Sequence, residues 1–248
     1  MGTAKRWIRL YSLALGAFGP QGWWPARTPF EVIVGAILVQ HTAWRNAERS
    51  LLRLKAAKAL TRRGMASLPP GRLARLIRPA GTYRAKARTL RAFLAALRRD
   101  FRGSLTRLLG APAKTLRPWL LAIPGIGPET ADCILVYAAG SPAFVADAYA
   151  RRILARHGLV PFHASYGAVR REALAHLPPD APLQGEFHAL LVTVGKHHCR
   201  THPRCVACPL APDLPAGAPL TPSVSGRHPV PFGPPLRRAS IGADPWRT

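Results

Sequence analysis

The chain has 248 residues, with 36 Lys and Arg against 11 Asp and Glu, and a formal net charge of +25. Hydrophobic residues make up 48%, enough to bury a core, so wholesale disorder is excluded. No uncharged apolar run approaches the ~18 residues of a membrane span, and the length suits one compact two-part unit of about the usual domain size, ~100–200 residues.

Thirty of the 36 basic residues are Arg, whose planar fork matches phosphate oxygens better than the Lys point charge. An excess of this size makes nucleic acid the leading partner, through phosphate neutralisation and counterion release. An Arg-rich proteome bias and an anionic membrane surface are the alternatives. At the N-terminus, Arg9 interrupts the apolar stretch after Lys5-Arg6. With no convincing cleavage site, this reads as an amphipathic first helix rather than a secretory leader, which implies a cytoplasmic, nucleoid-associated protein.

Residues 1–210 read as helix after helix. Runs such as Phe30 to Leu54 and Arg84 to Leu97 carry apolar residues at i, i+3 and i+4 with Arg between them. Alternating strand patterns are nearly absent, so the predicted fold is all-α. Breaks fall at Gly19-Pro20-Gln21-Gly22, Pro69-Pro70-Gly71, Pro79-Ala80-Gly81, Gly140-Ser141-Pro142 and Pro178-Pro179, which keeps the helices short. From residue 211 the helical period is lost and nine prolines fall in the last 38 residues, so residues 211–248 read as a disordered tail.

The most informative stretch runs from Leu120 to Asp132. An apolar helix ends at Ile123-Pro124, a Gly125-Ile126-Gly127 turn follows, and a second helix starts near Pro128, where a missing N–H costs nothing. Two glycines around one apolar residue let bare N–H groups approach an anion, and the helix N-terminus favours negative charge there. Such a cradle grips phosphate and reads no base. Twenty residues after Gly127 comes Asp147, at the expected start of a new helix. It can serve as an ordinary N-cap. Yet most of the other carboxylates sit on solvated helix faces or in loops, which leaves Asp147 the best candidate to meet a cationic transition state on DNA.

The hairpin Pro124-Gly125-Ile126-Gly127, the Gly140/Pro142 break and Asp147 resemble the helix-hairpin-helix, Gly/Pro, aspartate signature of the endonuclease III superfamily of DNA glycosylases. Trp23-Trp24-Pro25, Phe30-Glu31 and the segment Val39 to Trp44 resemble its 3-methyladenine DNA glycosylase III branch. The resemblance covers about residues 7 to 210. It implies a helical barrel over 27–140 facing a second domain built from 1–26 and 141–210, with DNA in the cleft. Carried over, Asp147 is the catalytic carboxylate, Gln40 fills the gap left by a flipped nucleotide, and Trp24, Pro25 and Trp44 form a stacking pocket. Pro124, Gly125, Ile126, Gly127 and Thr130 grip the DNA backbone. An alkylated purine is cationic and electron-poor, so an aromatic pocket suits it; core or interface packing is the competing reading of the tryptophans. Bifunctional members place a lysine two residues after the second glycine, where this chain has Glu129. A carboxylate forms no imine, so the expected enzyme is a monofunctional, monomeric glycosylase of damaged double-stranded DNA that uses water.

Cys133 stands alone and reads as packing. Cys199-x5-Cys205-x2-Cys208 resembles the end of the family's iron–sulfur loop, which uses four cysteines. That implies a 4Fe-4S cluster ligated by Cys199, Cys205 and Cys208, but Leu214 stands at the fourth ligand position. A nearby His as substitute ligand, a zinc site and a loop with no metal stay open. Three rival functions are also carried: an endonuclease III-like enzyme for oxidised pyrimidines, a catalytically silent helix-hairpin-helix DNA-binding protein, and an RNA-binding protein.

Overall fold

The computed structural model describes residues 2–215 and 219, and among them there are helices and no strands. In chain order the helices are α1 (Thr3–Phe18), α2 (Pro29–Leu38), α3 (Trp44–Ala56), α4 (Arg62–Ala66), α5 (Pro70–Leu76), α6 (Tyr83–Phe101), α7 (Leu105–Leu109), α8 (Ala113–Leu121), α9 (Pro128–Cys133), α10 (Ala148–Arg156), α11 (Tyr166–His176) and α12 (Ala181–His197). Their starts are written locally. The side chains of Thr28, Thr61, Ser104, Asp147, Ser165 and Asp180 each accept a hydrogen bond from an N–H of the helix they precede. Prolines occupy the first turns of α2, α5, α9 and α12. The apolar run from Phe30 to Leu54 is not one helix. It breaks at residues 39–43, where His41 takes a positive φ of 51°, and the break turns Gln40 out of the helix line.

The buried apolar residues form two clusters. One, within residues 30–145, gathers side chains such as Ile33, Ile37, Leu90 and Phe93 together with Ala181. The other combines Trp7, Leu10 and Ala14 of α1 with Phe144, Phe187, Leu190 and other residues of 144–210. The chain thus begins in the second cluster, builds the first, and returns. It returns through the extended segment 143–146, where Ala143 and Val145 face the first cluster while Phe144 and Ala146 face the second. An extended backbone points successive side chains to opposite sides, which is why four consecutive apolar residues are needed there.

A buried carboxylate ties the halves together. Asp132 of α9 is fully buried. It accepts from Arg117 of α8 at 2.9 and 3.1 Å, from Arg170 of α11 at 2.9 Å and from the Tyr166 hydroxyl at 2.9 Å.

Folded structure also extends past residue 210, where the sequence reading begins its disordered tail. Ala211–Asp213 forms a short 3-10 turn, and buried Asp213 accepts from Arg6 at 2.8 Å beside His157. The tail boundary therefore moves beyond Pro215, and the remaining tail lies outside the described residues, Pro219 excepted.

Removing the shared carboxylate leaves two guanidinium groups without their anion. Asp132→Ala should cost about 3–5 kcal/mol in equilibrium denaturant unfolding, and Asp132→Asn less, because the amide still accepts.

Candidate active site

The hairpin is held from below. Gly125 has φ +90°, and a Cβ there would lie 2.0 Å from Thr89 Oγ1 of α6, so a residue without a side chain is required for the turn to seat on that helix. Ile126 is buried in the first cluster and its N–H donates to Ile123 at 3.0 Å. Pro124 and Gly125 remain exposed, and the N–H groups of Gly125 and Gly127 have no partner within the described chain. Gln40 reaches this turn: its Nε2 donates to the Gly125 carbonyl at 2.9 Å and to Thr130 Oγ1 at 2.8 Å. Thr130, expected on the DNA side, is therefore buried and turned toward Gln40.

Trp23 and Trp24 lie on a loop pinned to α12, and Trp44 opens α3. The Gln21 N–H donates to the Glu186 carboxylate, and Gln21 Oε1 accepts from Thr193 at 2.9 Å. The edge of Trp24 rests on α2, where a Cβ at Gly35 would come within 3.0 Å of its Nε1. That indole N–H is buried without a partner. Trp24 meets Trp44 edge-to-face, with centroids 5.4 Å apart at 86°, and lies 5.5 Å from Tyr137. Pro25 is on the exposed side of the loop. Trp23 joins the same group, 5.5 Å from His188 and 6.0 Å from Trp24. Tyr137 comes from a π turn, Ile134–Ala138, that continues α9; such bulges re-aim side chains.

This aromatic group ends at Asp147. One carboxylate oxygen caps α10 by accepting from the Ala150 N–H at 2.7 Å. The other lies 3.7 Å from His188 Nε2. His188 is buried, with Nδ1 at 2.7 Å from the Tyr137 hydroxyl, which itself donates to the Gly185 carbonyl at 2.8 Å. The single hydroxyl proton goes to the carbonyl, so Nδ1 carries the hydrogen of its own bond. Asp147 thus has one oxygen spent on the helix and the other aimed at the ring.

Two further charged groups border the site. Glu129, in the first turn of α9, touches solvent yet is hemmed in by protein. That partial desolvation, and then the neighbouring Asp147 charge, raise its pKa above the ordinary carboxylate value. Lys196 of α12 has its Nζ 5.9 Å from the Trp23 ring centre; desolvation lowers its pKa and Asp147 opposes that shift. Sequence reasoning missed Tyr137, His188 and Lys196 as site residues. The first two lie among apolar helix residues, and only the folded chain brings them to Asp147.

The cysteine loop lies apart from this group. Cys199, Cys205, Cys208 and Leu214 line one small cavity of about 10 Å³. Arg156 donates to Cys199 Sγ at 3.3 Å and also to the carbonyls of Arg200 and Thr201. Arg152 donates to the Cys199 carbonyl at 2.8 Å. Burial raises the Cys208 thiol. Among the described residues no group of three or more His, Cys, Asp and Glu side chains is arranged to hold a metal ion. The residues therefore do not fit a four-thiolate cluster: three sulfurs are present, the fourth direction ends in an apolar side chain, and arginines hold the loop in place. Among the described residues, no helix is long and apolar enough to cross a membrane.

Residues 34–179 match the family model of HhH-GPD superfamily base excision DNA repair proteins. A Methanocaldococcus jannaschii protein provisionally named a DNA repair glycosylase is 38% identical over 204 residues, covering 82% of this chain and 92% of that protein. A solved Helicobacter pylori 3-methyladenine DNA glycosylase bound to 1,N6-ethenoadenine is similar at a TM-score of 0.64 and 27% identity, over 79% of this chain and 98% of its own. A trapped endonuclease III–DNA covalent intermediate has a TM-score of 0.74 at 24% identity, over 88% of this chain and 98% of that one, a likeness of fold.

The raised Glu129 pKa carries a sign. As pH climbs from the ordinary carboxylate range through the raised value, the folded state is forced to ionise a group it prefers protonated, and stability falls. Glu129→Gln lacks that loss. Its melting temperature should gain on wild type across that window, and an unchanged difference from acid to neutral pH would contradict the assignment.

Proposed function

Because the chain belongs to the HhH-GPD superfamily of base excision DNA repair proteins, we propose that it is a monofunctional DNA glycosylase acting on alkylated purines in double-stranded DNA. The observation that carries this reading is the unbroken run of contacts from Trp44 through Trp24, Tyr137, Trp23 and His188 to Asp147. It puts electron-rich rings beside a carboxylate, the pairing a cationic base and a cationic sugar transition state both need.

In the proposed reaction the hairpin N–H groups of Gly125 and Gly127 hold phosphate, and Gln40 leaves the hairpin to fill the gap of the extruded nucleotide. The base stacks against Trp24 and Trp44 with Pro25 at the rim. The C1′–N bond then breaks, and its electron pair leaves with the purine and cancels the alkyl cation. Asp147 stabilises the positive sugar, and water adds its oxygen to C1′ while passing a proton to the carboxylate. His188, oriented by Tyr137, faces the free oxygen of Asp147 across 3.7 Å. Glu129, at the position of the imine-forming lysine, offers no amine, so the strand is left intact at an abasic sugar. No step passes through a metal, and the cysteine loop serves DNA through its exposed cations, Arg200 and Arg204.

The test is base release from a duplex carrying alkylated purines, with each reaction assayed for strand breaks before and after alkali. Breaks only after alkali, and a loss of about 100- to 10,000-fold in Asp147→Asn, are the expected outcome. Release from oxidised pyrimidines alone would move the chain to that substrate class, and no release from any lesion would reduce it to a DNA-binding protein.

A further inference from the structure

Lys86 is 3% exposed and, among the described residues, has no carboxylate partner. Its ammonium donates instead to three backbone carbonyls: Leu38 at 2.9 Å, Gln40 at 2.7 Å and Ala80 at 2.6 Å. An ammonium has three N–H bonds, so these three acceptors use it up. Burial pushes its pKa down to about 8. An apolar side chain of similar length would fill the same space without desolvating a charge. What the lysine adds is geometry.

The three carbonyls belong to two separate turns. Leu38 ends α2, and Gln40 lies in the break that follows it, next to the left-handed His41. Ala80 precedes Gly81 and Thr82, both exposed and both at positive φ, 64° and 37°. One ammonium therefore gathers both turns to a point. The Gln40 turn and α6, the helix that carries Lys86, both meet the hairpin. The Gln40 side chain bonds Gly125 and Thr130, and Thr89, three residues after Lys86 on α6, is the contact that Gly125 must clear.

We propose that Lys86 is a positioning residue for base extrusion, its ammonium locking the Gln40 turn and the Gly81–Thr82 turn into one rigid edge against the duplex. This rests on Gln40 being the residue that fills the gap. A wedge on a loose turn loses the geometry on which extrusion depends, whereas a base that is already unpaired needs little extraction. The defect of a Lys86 variant therefore depends on the substrate's pairing, which a general loss of structure does not.

The experiment measures single-turnover release of one alkylated purine placed either in a fully paired duplex or in an unpaired bulge, using wild type, Lys86→Met and Gln40→Ala. Both variants are expected to slow release from the paired duplex by roughly tenfold or more, and from the bulge by no more than about threefold. If Gln40→Ala shows this pattern while Lys86→Met loses nothing, or loses both substrates equally, the role of Lys86 is overturned and that of Gln40 stands. If Gln40→Ala leaves paired release unchanged, the wedge reading falls and this inference with it. Should Lys86→Met not fold, Lys86→Arg, which keeps the charge but displaces the carbonyls, is judged by the same two rates.

Discussion

A carboxylate with no exposure to water is tolerable only when every lone pair is met by a donor. Asp132 meets that condition with Arg117 from one side and Arg170 and Tyr166 from the other. The three partners come from helices that belong to different hydrophobic clusters. Satisfying one buried charge therefore fixes how the hairpin helix α9 sits between them. The apolar run Ala143 to Ala146 threads the same junction, alternating between the clusters, and delivers Asp147 at its end. The distance between the hairpin and Asp147 is thereby set by packing on both sides rather than by a loop.

The parts of the site that could be read from the sequence are the local ones. Glycines and prolines around Ile126 specify a turn through backbone rules alone, and Asp147 announces itself as a helix cap after a Gly-Ser-Pro break. Trp24 and Trp44 needed the family resemblance, because a tryptophan in a helical protein is more often core. Tyr137, His188 and Lys196 gave no signal at all. Tyr137 and His188 sit among apolar helix residues and Lys196 in the last turn of α12, and their meeting with Asp147 depends on α12 packing across the returning chain. The end of the folded region was misjudged for a similar reason. Asp213 looks like loop until Arg6, 207 residues earlier in the sequence, arrives beside it.

The cysteine loop shows what a local motif delivers when one ligand position is changed. Cys199, Cys205 and Cys208 do converge with position 214, as the pattern implies, but the side chain there is leucine. Arg152 and Arg156 hold the loop by its carbonyls and by one sulfur. These hydrogen bonds fix the course of the loop at residues 199–201.

The chemistry turns on which amine, if any, faces the sugar. Glu129 removes the hairpin amine, yet Lys196 borders the same aromatic group with its pKa lowered by burial. Borohydride trapping during turnover on alkylated-purine duplex separates the two cases. The account predicts free abasic product and no covalent protein–DNA adduct. An adduct mapped to Lys196 would contradict it, and would make the enzyme a lyase with its nucleophile moved from α9 to α12.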